Sequence, residues 1–349
     1  MKNKKITVLS LFDGISGGQQ ALERIKWITV DKYLASEVNK YAIAITKYNY
    51  PNTIFIGDVK EINIEKLPHI DLLIGGSPCQ GFSFSGKRVG ASTKCKIEIT
   101  SLEQYLKLKK ENFEFEGQSY LFWEYIRIYR DLKKINPNIK FLLENVQMEK
   151  KWKEMFDKAI GVKPIMIDSK LLSAQQRKRY YWTNLSDNIE QPKDLNIELK
   201  DILEDIPFEN NGKIYKPQEL NKATILGRRL NKYGKRDDYN KDIPIIQCLE
   251  VRDVNRNKSN CITTVAKDNV LTPLEIGRHP DVYGKNLPYR NYTNIEKERL
   301  QTIKDDFTKY GIDEKGNIIE ISNSQRNHAI GNGWTIEVIK YLLEKILKD

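Results

Sequence analysis

The sequence predicts an α/β protein: one wide sheet of seven strands covered by helices, joined to a second, smaller domain of different character. Three observations carry this. Short β-branched runs alternate with helical patterns up to about residue 184, as in a parallel sheet with crossover helices. Past Asn184, charges, Asn and Gly break the periodicity. The chain has 349 residues, 40% of them apolar, enough to fill a sizeable core without staples.

The strands read as ITVLSLF (6–12), YLASE (33–37), TIFIGD (53–58), IDLLIGG (70–76), FLLENV (141–146), PIMIDS (164–169) and RYYWTN (179–184). Leu121, Phe122, Tyr125, Ile126, Tyr129 and Leu132 recur at helical spacing and lay one apolar stripe on that sheet. The stretch 86–118 reads as irregular. It leaves the carboxyl end of a strand, as lids do, and its Lys87, Arg88, Lys94 and Lys96 suit a charged substrate. In the second region only IPIIQCLEV and NCITTV look like strands, and GRRLNKYGKR (227–236) carries Arg228, Arg229, Lys232, Lys235 and Arg236 with no acid. Helix returns at the end, where Ile336, Ile339, Leu343 and Ile346 mark one face. The expected domains are 1–184 with 322–349 for catalysis, and 185–321 for target recognition and a hinge.

Lys and Arg number 58 against 47 Asp and Glu, a net charge of +11 that calls for a polyanionic partner. Four cysteines at 79, 95, 248 and 261 form no CxxC pair, and only three histidines exist, so neither a metal site nor a disulfide framework is expected. The basic start is followed by an apolar run that ends at Asp13 without a cleavage pattern, and no stretch is long enough to span a bilayer. The expected setting is the cytoplasm, with reduced thiols.

The carboxyl ends of the strands carry the chemistry, because ligands of open α/β sheets bind there. After the first strand comes Phe12-Asp13-Gly14-Ile15-Ser16-Gly17-Gly18, whose glycines allow a tight turn and close approach to a ligand. Glu37 ends the second strand, where a carboxylate can accept from a ribose diol, and Asp58 ends the third. The pattern lacks GxGxxG, so an adenosine cofactor fits better than a dinucleotide. The fourth strand delivers Ser77-Pro78-Cys79-Gln80-Gly81, in which Pro78 stiffens the turn that presents the thiol. Glu144 closes the fifth strand, and Arg177 and Arg179 enter the seventh.

Together these residues resemble the DNA cytosine-C5 methyltransferase family. The likeness runs through FDGISGG, SE at Glu37, GD at Asp58, GGSPCQGFSFSG, ENV, QxRxR and IGNGW, and covers nearly everything outside 185–285. VLSLFDGIS, ASEV and PIMIDSKLLSAQQRKRYYW are particularly similar to the vertebrate de novo branch.

The resemblance implies a Rossmann-like methyltransferase sheet that uses S-adenosylmethionine. Phe12, Asp13, Gly14, Gly17 and Gly18 would line the cofactor, Glu37 its ribose and Asp58 its adenine amino group, with Asn332 placing the returning C-terminal segment. Where many members have Trp after the ribose acid, this chain has Val38, an apolar wall in place of a stacking ring. Cys79 would be the nucleophile, its thiol acidified by Arg177 and Arg179, while Glu144 and the arginines hold the base. Ser83 and Ser85, the loop residues Lys87 and Arg88, the five cations of 227–236, and Thr263 and Thr264 would meet DNA. The implied partner is double-stranded DNA with a flipped-out cytosine. The resemblance leaves open a restriction endonuclease acting on the same site, and a monomer is expected. A tRNA cytosine-C5 methyltransferase and a catalytically silent regulator of the same fold are the alternatives.

Overall fold

The computed structural model describes residues 4–83, 90–184, 189–206, 258–259, 261–262 and 290–348, together with short strands between 208 and 272. Seven strands form the main sheet: β1 (Lys4–Leu11), β2 (Ile28–Ser36), β3 (Ile54–Phe55), β4 (Leu72–Gly76), β5 (Lys140–Val146), β6 (Ile165–Asp168) and β7 (Lys178–Thr183). Their order is β3-β2-β1-β4-β5-β7-β6, so the seven runs read from sequence are the seven strands of one sheet. The chain reverses direction beside β1, a switch point that opens a crevice at the carboxyl ends of β1 and β4.

Alternation within each strand sends side chains to two cores. Ile6, Val8, Leu72, Ile74 and Leu142 face α1 (Gly17–Leu22), α2 (Lys40–Asn49) and α8 (Ile336–Ile346). Leu9, Leu11, Leu73, Phe141 and Leu143 face α3 (Leu102–Lys110), α4 (Phe122–Ile135) and α5 (Lys150–Ile160). The stripes expected on α4 and α8 are buried as read, except that Leu121 stands ahead of α4 and is only partly buried.

Three expectations change. The sheet is not wholly parallel: β7 runs antiparallel to both β5 and β6. Only residues 169–177 join β6 to β7, too few for a helical crossover, so the chain simply turns back. The stretch 90–118 is not irregular, for it holds α3 and a small ribbon pairing Ser92–Thr93 with Phe115–Glu116. Its apolar residues, Leu102, Tyr105 and Leu108, are too few to show as a stripe, yet Ser101 caps the helix and Tyr105 is fully buried. Helix also returns earlier than the C-terminus, at α6 (Asn294–Leu300) and α7 (Asn323–Asn332). Leu300, Ile303, Phe307 and Ile321, placed by sequence in the second region, share a core with Val8 and Ile74, as do Leu199 and Ile202. Four short strands, 249–251, 224–228, 269–272 and 290–291, form a separate antiparallel sheet. Among the described residues no helix is long and apolar enough to cross a membrane.

Candidate active site

A cleft of about 560 Å³ lies across the carboxyl ends of β1, β2, β4 and β5 and the amino end of the antiparallel β7, a volume suited to a small-molecule ligand. Phe12, Asp13, Gly14, Gly17, Glu37, Val38, Asp58, Cys79, Glu144, Arg177, Arg179 and Asn332 all line it. Gly18 does not. A Cβ there would stand 2.2 Å from Ile74 Cδ1 and 2.5 Å from the Tyr33 hydroxyl, so its bare Cα serves the packing of α1 on the sheet.

At the β1–β2 end the backbone turns sharply, with Phe12, Gly14 and Ser16 all in the left-handed region at φ 55–57°. Glu37 locks this turn. Its carboxylate accepts from the N–H of Gly14, Val38 and Asn39, each at 2.8 Å, and keeps acceptor capacity toward the cleft. Asp13 beside it accepts from Ser16 Oγ at 2.6 Å and Tyr33 OH at 2.8 Å. Burial pushes the Asp13 carboxyl up to about 6, the Glu37 charge adding to it against those hydrogen bonds. Val38 is 66% exposed, an apolar plate above the carboxylates, and Asp58 accepts from Lys60 N–H and pairs with its Nζ at 3.1 Å. Carboxylates and an apolar plate fit a nucleoside that also carries a cationic group.

At the β4–β5 end, Asn145 donates to the carbonyl and hydroxyl of Ser77, both at 3.0 Å, fixing the start of the thiol loop. The Cys79 carbonyl then accepts from Phe82 and Ser83 N–H, while Phe82 is buried edge-on against Trp152 and Phe156. Ser83 pairs with Met148 in a bridge and lies outside the cleft lining. Pairing of β4 with β5 sets Gly76 opposite Glu144, and pairing of β5 with β7 sets Val146 opposite Arg179. Glu144 Oε1 lies 3.0 Å from Arg179 Nε, with both side chains mostly buried.

The two arginines differ. Arg179 holds Glu144, whereas Arg177 donates to the carbonyls of Ile262, Gly331 and Gly333 and to Cys261 Sγ, clamping two chain segments together. The expected acidification of Cys79 is not found: burial pushes its thiol up, the Glu144 charge adds to this, and Arg179 and Arg177 oppose it without prevailing. The sequence reading also missed Trp334, whose Nε1 donates to Glu144 Oε2 at 3.2 Å, and Cys261; the first lay in the quoted IGNGW segment, the second was noted only as one of four cysteines without a CxxC pair. Ser85, Lys87, Arg88, Arg229, Lys232, Lys235, Arg236, Thr263 and Thr264 lie outside the described residues, and Arg228 ends the strand 224–228. Among the described residues no three His, Cys, Asp or Glu side chains gather as metal ligands.

Fold and cleft define a class: an α/β nucleoside-binding enzyme with a thiol at the mouth of the cofactor crevice. The sequence matches the C-5 cytosine-specific DNA methylase family over residues 6–348, and the chain belongs to that family of methyltransferases. It is 27% identical to the Type II methyltransferases M.NgoBV of Neisseria gonorrhoeae and M.NlaIV of Neisseria lactamica, over 87% of this chain and 77% of each relative. The Orphan methyltransferase M.SPRI of Bacillus phage SPR is 38% identical over 119 residues, 32% of this chain and 26% of that protein. In fold the chain is similar to the Entamoeba histolytica methyltransferase EhMeth, with a TM-score of 0.63 at 18% identity over 99% of both chains. It is likewise similar to the S. pombe Dnmt2 methyltransferase, with a TM-score of 0.61 at 17% identity over 98% of both. Membership of the family implies S-adenosylmethionine as cofactor.

Proposed function

We propose that this chain methylates C5 of a cytosine flipped out of duplex DNA. The observation that carries the reading is one cleft with the Glu37 and Val38 walls at one end and Cys79 with the Glu144–Arg179 pair at the other. Phe12, Asp13, Gly14, Gly17, Glu37, Val38 and Asp58 would hold S-adenosylmethionine, which supplies an electrophilic methyl on a sulfonium. C5 of cytosine is too weak a nucleophile to take that methyl unaided. The Cys79 sulfur adds at C6 and pushes an electron pair to C5. Glu144, held by Arg179 and Trp334, brings the proton that N3 takes up as charge collects there. After transfer the C5 proton leaves, and its electrons re-form the ring double bond as the sulfur–C6 bond breaks. Arg177 acts at one remove, by holding the 331–333 segment that carries Asn332.

Duplex DNA is favoured by the net charge of +11 and by the Type II methyltransferases that match 87% of the chain. The second region, centred on the separate four-stranded sheet, would read the target, with Arg228 and its neighbours meeting phosphate or base. The likeness to Dnmt2-type folds makes tRNA the substrate to compare. Labelled methyl transfer into duplex DNA and into tRNA decides between them. The reading requires incorporation into DNA at C5, abolished by Cys79→Ser, and a denaturation-resistant conjugate with 5-fluorocytosine DNA. Incorporation into tRNA alone, or full activity of Cys79→Ser, overturns it.

A further inference from the structure

The second region sends one thiol into the catalytic rim. Lys258, Ser259 and Ile262 are stapled onto the segment leading into β7. Ser259 N–H donates to the Ala174 carbonyl at 2.6 Å, Gln176 N–H to the Ser259 carbonyl at 2.8 Å, and Ile262 N–H to Gln175 Oε1 at 2.8 Å. Lys258 Nζ adds bonds to the carbonyls of Lys170 at 2.9 Å and Ser173 at 3.2 Å. This seating sets Cys261 Sγ between two guanidinia, 3.1 Å from Arg177 NH1 and 3.6 Å from Arg179 NH2. The inner edge of Arg179, its Nε, is then turned to Glu144 at 3.0 Å. Thus one sulfur sits at the back of the arginine whose front holds the catalytic acid.

We infer that Cys261 is a positioning residue: its sulfur fixes Arg179 against Glu144 and offsets the positive charge that the nucleophile Cys79 would otherwise feel. Neither part touches the base. Among the described residues, the charged groups facing this sulfur are Arg177, just before β7, and Arg179, the second residue of β7, and Sγ also lies 3.4 Å from the Ile262 carbonyl oxygen. Beyond Arg179 stand Tyr181 further along β7, Glu144 on β5 and Cys79 on the loop after β4, and Asp168 at the end of β6 accepts from Arg177 N–H. Burial alone would push the Cys261 thiol up, but the Arg177 and Arg179 charges outweigh it and its pKa lies below the ordinary value. Ionised, it shares the guanidinium charge with Glu144, which leaves Cys79 protonated until a base arrives. A thiol and a serine hydroxyl both accept hydrogen bonds, but only the thiol ionises near neutrality, so substitution separates the two effects.

The inference rests on the proposed role of Cys79, and its test has a readout that needs no methyl transfer. Iodoacetamide alkylation of the full-length protein is followed against pH by mass spectrometry for Cys79 and Cys261. In the wild type, Cys261 should alkylate with a midpoint below about 8.5, and Cys79 above it. In both Cys261→Ser and Cys261→Ala the Cys79 midpoint should fall by about one pH unit. Methyl transfer should separate the variants, with kcat near wild type for Ser, about tenfold lower for Ala, and KM for DNA unchanged in both. A Cys79 midpoint that does not move, or a Cys261 midpoint at or above that of an ordinary thiol, overturns the inference. So does an equal loss in both variants confined to KM. Retained methyl transfer by Cys79→Ser would instead strike the catalytic reading, leaving the alkylation midpoints to stand on their own.

Discussion

Two buried acids differ in what pH does to them. Asp13 has a folded pKa of about 6 against 3.8 for the ordinary carboxyl, so the native state holds its proton longer than the unfolded chain does. Its contribution is fully present below pH 3.8 and is lost as pH rises through 6, a gap of roughly two pH units worth about 3 kcal/mol. Urea denaturation at pH 4 and pH 7 should show that loss in the wild type and a flatter profile in Asp13→Asn; identical slopes would mean that Asp13 ionises as freely folded as unfolded. Glu144 acts on its neighbour instead. Its charge is one cause of the raised Cys79 thiol, second to burial. Glu144→Gln should therefore bring the Cys79 alkylation midpoint down while methyl transfer falls by at least a hundredfold, since a more available thiolate is useless without the N3 contact. A variant whose midpoint rises would contradict the placement of the carboxylate beside the thiol. Residue identities at this scale were legible because Cys79 follows β4, Glu144 lies near the end of β5 and Arg179 opens β7, three adjoining strands of the sheet. The direction of the Cys79 shift was not, because sequence counts the arginines but cannot weigh them against burial.

At the scale of elements, the thiol loop depends on a backbone contact that no side chain advertises. Gly81 N–H donates to Ser119 Oγ at 2.8 Å, and its carbonyl accepts from Gly90 N–H at 2.9 Å. A Cβ at residue 81 would stand 2.3 Å from the Gly90 carbonyl oxygen and 2.7 Å from Ser119 Oγ. The first of these is main chain, so the loop itself must move. Gly81→Ala should lower stability by about 1–3 kcal/mol and methyl transfer by about a hundredfold, because a displacement of 1 Å in a nucleophile is enough. Chemical denaturation and initial rates check both, and a wild-type rate in this variant would show that the loop tolerates the shift. The same segment explains what the sequence hid. The central strands were visible because their apolar runs are set by two buried faces, as Val8 and Leu9 show by facing opposite cores. Helix α3 was not, because its stability comes from tertiary contacts. Tyr105 donates to Glu124 at 2.5 Å and Lys109 to the same carboxylate at 2.6 Å, while Arg127 joins Glu124 to the carbonyls of Val59 and Ile62. None of those partners is local to α3.

Across the whole molecule, the two ends of the chain meet over the cleft. Trp334, from the turn between α7 and α8, lies above the cofactor turn, where a Cβ on Gly17 would touch its ring at 3.3 Å. The same indole covers the end of β4, where a Cβ on Gly76 would stand 2.9 Å from Nε1 and 3.0 Å from Glu144 Oε2. Two bare glycines thus let one ring bridge the turn after β1 and Glu144. The segment is held in place from three sides: Arg177 on the Gly331 and Gly333 carbonyls, Gln301 on those of Ile330 and Gly333, and α8 buried through Ile339, Leu342, Leu343 and Ile346. This closure was only half legible, since IGNGW marked the segment but not which of its residues reaches across. Trp334→Phe keeps an aromatic ring against Gly17 and removes the donor to Glu144. A hydrogen bond to a charged group contributes about 1.5–3 kcal/mol, so kcat should fall by roughly tenfold to a hundredfold. The thermal midpoint and the KM for S-adenosylmethionine should change little, because the packing surface remains. A variant that instead lost cofactor affinity with kcat intact would place the indole's work at the Gly17 turn and leave Glu144 to be oriented by Arg179 alone.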